Sequence, residues 1–136
     1  MKDQEESLSL VLFSGTDDKL AAAAVLAAGA AAMGRRVHLF LQYWALDAFR
    51  VDRIVNDHGL SPEAGATGAE AVRRHGGEHW SETLRQVKEI GEVDIQACAL
   101  SMDMFQIQQS GLDPMVDGVT GVASFMSTAT GAVVFI

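Results

Sequence analysis

Residues 7–41 read SLSLVLFSGTDDKLAAAAVLAAGAAAMGRRVHLFL, and their reading decides the fold. Ser7 to Ser14 alternates and then saturates with apolar residues, as a central strand does. Gly15 and Thr16 break the run. Thr16 is the expected N-cap of a helix, with Asp17 and Asp18 in its first turn, where the helix dipole favours anions. The alanine-rich helix runs to about Met33 and stops at Gly34, a residue type suited to the position just past a helix. Arg35 to Leu41 is a second strand. Strand, helix and strand in such close succession imply a right-handed crossover and parallel neighbours.

The alternation continues along the chain. QYWALDAFR after the second strand reads as one or two helical turns. From Val51 to Trp80 the pattern weakens into a Gly-, Ala- and charge-rich excursion with one short helix. SETLRQVKEI (81–90) is an amphipathic helix with Leu84, Val87 and Ile90 on one face, ended by Gly91. Val93 to Ala97 is a third strand, Ser101 to Gln109 a helix, Val116 to Thr120 a short fourth strand, Gly121 to Ala129 a last helix and Ala132 to Ile136 a closing strand. The expectation is one α/β domain over residues 1–136, with an open, mainly parallel sheet of four to five strands and helices on both faces. In such sheets, ligands and reactive groups gather at the carboxyl ends of the strands. The Ser14-Gly15 turn, the Gln42-Tyr43-Trp44 segment and Cys98 all follow such ends.

Composition narrows the function classes. Ten Lys and Arg stand against eighteen Asp and Glu, for a net charge of −8 in 136 residues. A nucleic-acid groove or an anionic membrane surface as partner is disfavoured. The most apolar stretch, Leu20 to Met33, falls short of the roughly 20 residues a spanning helix needs. The amino terminus has no basic segment followed by an apolar one, and a single cysteine excludes an internal disulfide. A reducing cytoplasm is the expected setting.

Three features could carry chemistry. The turn SGTDDK lacks the glycine spacing of phosphate-binding loops, and Asp17 and Asp18 stand where an anion would dock, so it reads as a helix start. HGGEH (75–79) matches a zinc-protease pattern that works only on a helix, which Gly76 and Gly77 oppose. A solvated loop and no metal are expected there. His38 and His58 have no visible partner. Tyr43, Trp44 and Phe49 form an aromatic cluster that packs the core, walls the reactive edge or meets another subunit. DIQACALSMDM (94–104) places Cys98 where a strand gives way to a helix. With Ser101 as N-cap, the amides after Cys98 would favour the thiolate, while Asp103 in the first turn would oppose it. Cys98 is either a reactive thiol or a small buried apolar side chain.

Three stretches carry a family resemblance: FSGTDDKLAAAAVLAAGAAAMGRRVHLFLQYWAL, DIQACALSMDMFQI and the tail GVTGVASFMSTATGAVVFI. In this order and spacing they resemble the DsrE/DsrF-like family, in its DsrE2-type form. The resemblance implies a flavodoxin-like three-layer fold, a homo-oligomer (trimer or hexamer) and a sulfur-relay role. Cys98 matches the family's sulfur-binding cysteine, which holds sulfane sulfur as a persulfide and passes it to a partner thiol without a cofactor. Rhodanese-like donors and a TusA-like acceptor are the implied partners. Ser14, Gly15, Thr16, Tyr43, Trp44, Ala99, Ser101 and Asp103 are the expected lining of the site. Two other readings use the same residues. A thiol peroxidase would need an external resolving thiol, and a non-catalytic oligomeric binding module would leave Cys98 inert.

Overall fold

A computed structural model describes residues 7–136. Its elements are β1 (Leu8–Leu12), α1 (Asp17–Ala32), β2 (Val37–Leu41), α2 (Tyr43–Ala48), a 3-10 turn (Pro62–Ala64), α3 (Gly65–His75), α4 (Trp80–Ile90), β3 (Val93–Cys98), α5 (Ala99–Met104), a second 3-10 turn (Gln109–Gly111), β4 (Gly118–Thr120), α6 (Val122–Thr128) and β5 (Ala132–Phe135). The five strands form one all-parallel sheet in the order β4-β3-β2-β1-β5. This is the flavodoxin-like, three-layer α/β arrangement.

Side-chain alternation divides the sheet into two unequal faces. Leu10, Leu12, Val37, Leu39, Leu41, Ile95 and Ala97 point to the side covered by α1 and α4 and are all fully buried. Each such leucine or isoleucine contributes about 2 kcal/mol by leaving water. The inner face of α1 is nearly all alanine (Ala23, Ala24, Ala27, Ala30), which lets neighbouring elements approach closely. Trp80, Leu84 and Val87 supply the inner stripe of α4. Ile90, expected on that stripe, is exposed because it ends the helix one turn beyond the packed region. The opposite face carries Ser9, Val11, His38, Phe40, Asp94, Gln96 and Cys98, and α6 is the helix that crosses it.

The caps explain where the elements stop. Gly34 ends α1 with φ +77, and the Arg35 amide bonds back to the Ala30 carbonyl. Thr16 occupies the N-cap of α1 but makes no side-chain capping bond. Gln106 takes φ +56 after α5, and the Ile107 amide bonds the Met102 carbonyl. That left-handed cap stops α5 at Met104, well before Gln109. β4 begins at Gly118 rather than Val116, because Asp117 spans the gap: its amide bonds the Ile95 carbonyl at 2.7 Å and its carboxylate takes the Ile95 amide at 2.8 Å.

The 51–80 excursion holds α3, which buries none of its residues. In RRHGGEH, Arg73, Arg74 and His75 form the last turn of α3, and Gly76 and Gly77 both take positive φ. His79 caps α4, its Nδ1 accepting from the Ser81 amide. The two histidines of HGGEH therefore belong to different elements rather than to one helix. Among the described residues, no three His, Cys, Asp or Glu side chains are grouped so as to hold a metal ion, and no helix is long and apolar enough to cross a membrane.

Candidate functional site

The carboxyl ends of β1, β2 and β3 lie side by side, so the 13–16 turn, the 42–44 segment and Cys98 share one edge of the sheet. The turn is fitted against the second segment. A Cβ built on Gly15 would lie 2.8 Å from the Trp44 carbonyl carbon and closer still to its oxygen, so only glycine fits. The Gln42 and Ala45 amides donate to the Leu12 and Phe13 carbonyls. Ser14, Gly15, Thr16 and Trp44 line a hollow of about 380 Å³, together with Asp47, Arg53, Asp57 and His58. Arg53 faces Asp47 across 3.0 Å. These last four residues had only weak sequence signals: they sit in or after the short α2, among many charges.

Asp17 and Asp18 both make hydrogen bonds within the fold. The Asp17 carboxylate accepts from the His58 amide and from the Trp80 indole, both at 2.9 Å. Asp18 takes the Ser61 amide on both oxygens at 3.1 Å. Burial pushes the Asp18 carboxyl up, but hydrogen bonds from Thr16, Ser61 and Lys19 outweigh it and hold the group below its usual 3.8. The two aspartates thus clamp the start of α1 to the loop before α3.

Tyr43 begins α2 in the left-handed region, with φ +43. A bulky residue in that conformation is strained, and such strain persists only where surrounding structure holds it. The holding group is Ser101, whose fully buried Oγ accepts from the Tyr43 amide at 3.0 Å. Ser101 is therefore not the N-cap of α5. It lies inside the helix and clasps α5 to α2, while the N-cap position belongs to Cys98 itself, without a side-chain hydrogen bond. Asp103 falls in the last turn and is exposed, not in the first turn beside the thiol. Ala99 opens α5 at the surface.

The aromatic residues divide into two groups. Phe135, Phe13, Tyr43, Phe105 and Trp44 form a chain of ring contacts along the rim, with centroids 4.9 to 6.2 Å apart. Trp44 is 54 % exposed. Phe49 does not join them; it is fully buried against Trp80 in the main core, 5.1 Å between rings.

Cys98 closes β3 at 4 % exposure. Alternation turns its side chain away from the main core, into a small separate cluster with Phe40 and Phe125, flanked by Val11 and Ala129. The Phe40 and Phe125 rings stack 4.5 Å apart with planes 12° from parallel. Phe125 lies far along the chain, and strand alternation, which puts Phe40 on the same face as Cys98 with Gln96 as its register partner, was the one available sign of this pocket.

Residues 4–75, just over half the chain, match the family described as DsrE/DsrF/DrsH-like. The chain belongs to that family. The uncharacterized protein YrkE of Bacillus subtilis (strain 168) is 28 % identical over 152 residues, spanning 95 % of this chain and 94 % of its own. Among solved structures, MTH1491 of Methanobacterium thermoautotrophicum, described as a protein of unknown function, aligns with TM-score 0.61 at 14 % identity, covering 96 % of this chain and 98 % of its own. The ychN protein of E. coli aligns with TM-score 0.58 at 15 % identity, covering 96 % and 99 %. At these identities the two structures speak for the fold alone, and they share it along nearly the whole chain.

Proposed function

We propose that this protein is a sulfur carrier that holds sulfane sulfur as a persulfide on Cys98. The observation that carries the reading is the position of the chain's only cysteine. It ends a central parallel strand, at the edge where such folds do chemistry, in a member of the DsrE/DsrF/DrsH-like family.

In the first step the Cys98 thiolate attacks the outer sulfur of a donor persulfide. The donor's S–S bond breaks, the donor leaves as a thiolate, and Cys98 becomes Cys–S–SH. In the second step an acceptor thiolate attacks that outer sulfur and Cys98 leaves as thiolate. Each exchange passes one sulfur atom with no net oxidation. No cofactor enters, because the cargo rides on the protein. Rhodanese-like donors and a TusA-like acceptor, acting in the cytoplasm, are the partners this reading expects. Ser101 and the strained Tyr43 fix α5 against α2 beside the thiol. Ser14, Gly15, Thr16 and Trp44 shape a hollow along the same edge of the sheet that Cys98 itself does not line, and Ala99 and Asp103 lie on the outer surface of α5.

Assembly into a homo-oligomer belongs to the same proposal. It is supported by β5, an edge strand whose four residues, Ala132 to Phe135, are all apolar and all exposed.

The test is cyanolysable sulfane sulfur after incubation with polysulfide and desalting. Wild type should retain about one sulfur per chain and Cys98→Ser none, with both variants folded alike. Equal retention by Cys98→Ser would end the proposal. The burial of Cys98 favours one rival, an inert cysteine in a binding module. It requires that native protein take up no sulfur at all.

A further inference from the structure

Among the described residues, the apolar side chains that pack with Cys98 from outside the sheet, Phe125 and Ala129, come from one short helix and its C-cap. The connection from β4 to β5 must return from one edge of the sheet to the other. Four strand spacings come to about 19 Å, whereas the seven residues of α6 span only about 10 Å. The helix therefore acts as a small patch over the second face. Phe125 is its one buried residue, and that residue seats on Phe40 over the thiol. Ala129, one turn on, packs against the same cluster. Val122 and Met126 face outward, each more than half exposed.

Among the described residues, few polar contacts hold this helix down. The hydroxyls of Ser127 and Thr128 turn back to the Ser124 and Phe125 carbonyls within α6. A polar tie comes beyond the helix, where Ser7, just before β1, donates its Oγ to the Thr130 carbonyl. Gly121 precedes α6, and Gly131 follows it with φ +78. By contrast, β3 is paired on both sides, by β2 and β4, so exposing Cys98 by moving β3 would mean dismantling the sheet.

We infer that α6 is a gate over Cys98, closed by the seating of Phe125 on Phe40, and that the thiol reacts from the state in which Phe125 has lifted away. This rests on the sulfur-carrier reading only for its purpose: the gate would protect a loaded persulfide from stray thiols and release it when α6 opens. The opening itself is a local event, with a free energy below that of global unfolding.

The experiment follows alkylation of Cys98 by iodoacetamide, using intact-protein mass spectrometry on the full chain at urea concentrations below the unfolding transition. A gate predicts a wild-type rate well below that of a free thiol and nearly independent of urea, because little surface is exposed by the opening. Phe125→Ala should react at least about tenfold faster, and Phe125→Leu should restore most of the protection. Three results would overturn the gate: a wild-type rate equal to a free thiol's, a urea slope equal to that of global unfolding, or a Phe125→Ala rate unchanged from wild type. Should Phe125→Ala fail to fold, the wild-type urea slope alone decides. The readout contains no sulfur donor. A protein that gates but takes up no sulfane sulfur would keep this inference and lose the carrier reading; one that loads sulfur without the gate's signature would do the reverse.

Discussion

At Gly15 the fold tolerates no side chain, because the Trp44 carbonyl occupies the space a Cβ would need. Gly15→Ala must push the 42–44 segment outward, at a cost of about 1–3 kcal/mol. A thermal melt should show the lower Tm, and an unchanged Tm would mean the two segments are not in contact. Ser101 acts by a hydrogen bond rather than by volume. Ser101→Ala leaves the Tyr43 amide without its acceptor in a strained conformation, which should cost about 1–2 kcal/mol. Its role was legible in the sequence only as a capping residue. That reading failed because the N-cap lies three residues earlier, at Cys98, and nothing local marks a serine that reaches across to another element. Cys98 was legible as the end of a strand. Its cover was not, because Phe40 and Phe125 meet only through the sheet.

At the scale of elements, two polar ties join pieces that sequence patterning treats separately. Asp18 joins α1 to the loop at Ser61. Its carboxyl sits below the ordinary value of 3.8 in the folded protein, so its contribution is present above that pH and disappears as pH falls through the folded value. Acid titration should therefore loosen the 57–61 loop at pH below about 4, and Asp18→Asn should flatten that part of the stability profile. On α4, Arg85 bonds the buried Asp113 at 2.6 Å, which ties the helix to the segment before β4. Arg85→Ala leaves that carboxylate without its cation, held by the Met115 amide. The expected loss is about 2–3 kcal/mol, less than for a fully buried pair because Arg85 itself is partly solvated. Chemical denaturation gives the value directly. The strands and the long helices were readable from apolar periodicity and from glycine stops, since those signals are local. The ends of α5 and β4 were not, because a left-handed Gln106 and a strand-mimicking Asp117 set them.

For the whole molecule, the parallel sheet was readable because each apolar run is followed by a helix that must cross back over it. The unequal cover of its two faces was not, since it follows from the strand order: one short α6 has to serve the entire return to β5. Exposure of β5 on both sides leads to a mass prediction. The native protein should elute above its 14.5 kDa chain mass, and Phe135→Lys should shift it toward a single chain in light-scattering chromatography; a wild-type monomer would remove the oligomer from the proposal. The most direct test of the central claim is the intact mass of the native protein before and after brief exposure to polysulfide, with a reductant control. The account predicts a gain of about one sulfur atom, reversed by reductant and mapped to Cys98. No gain in the native protein, alongside ready alkylation once it is denatured, would contradict it and leave Cys98 as part of the core.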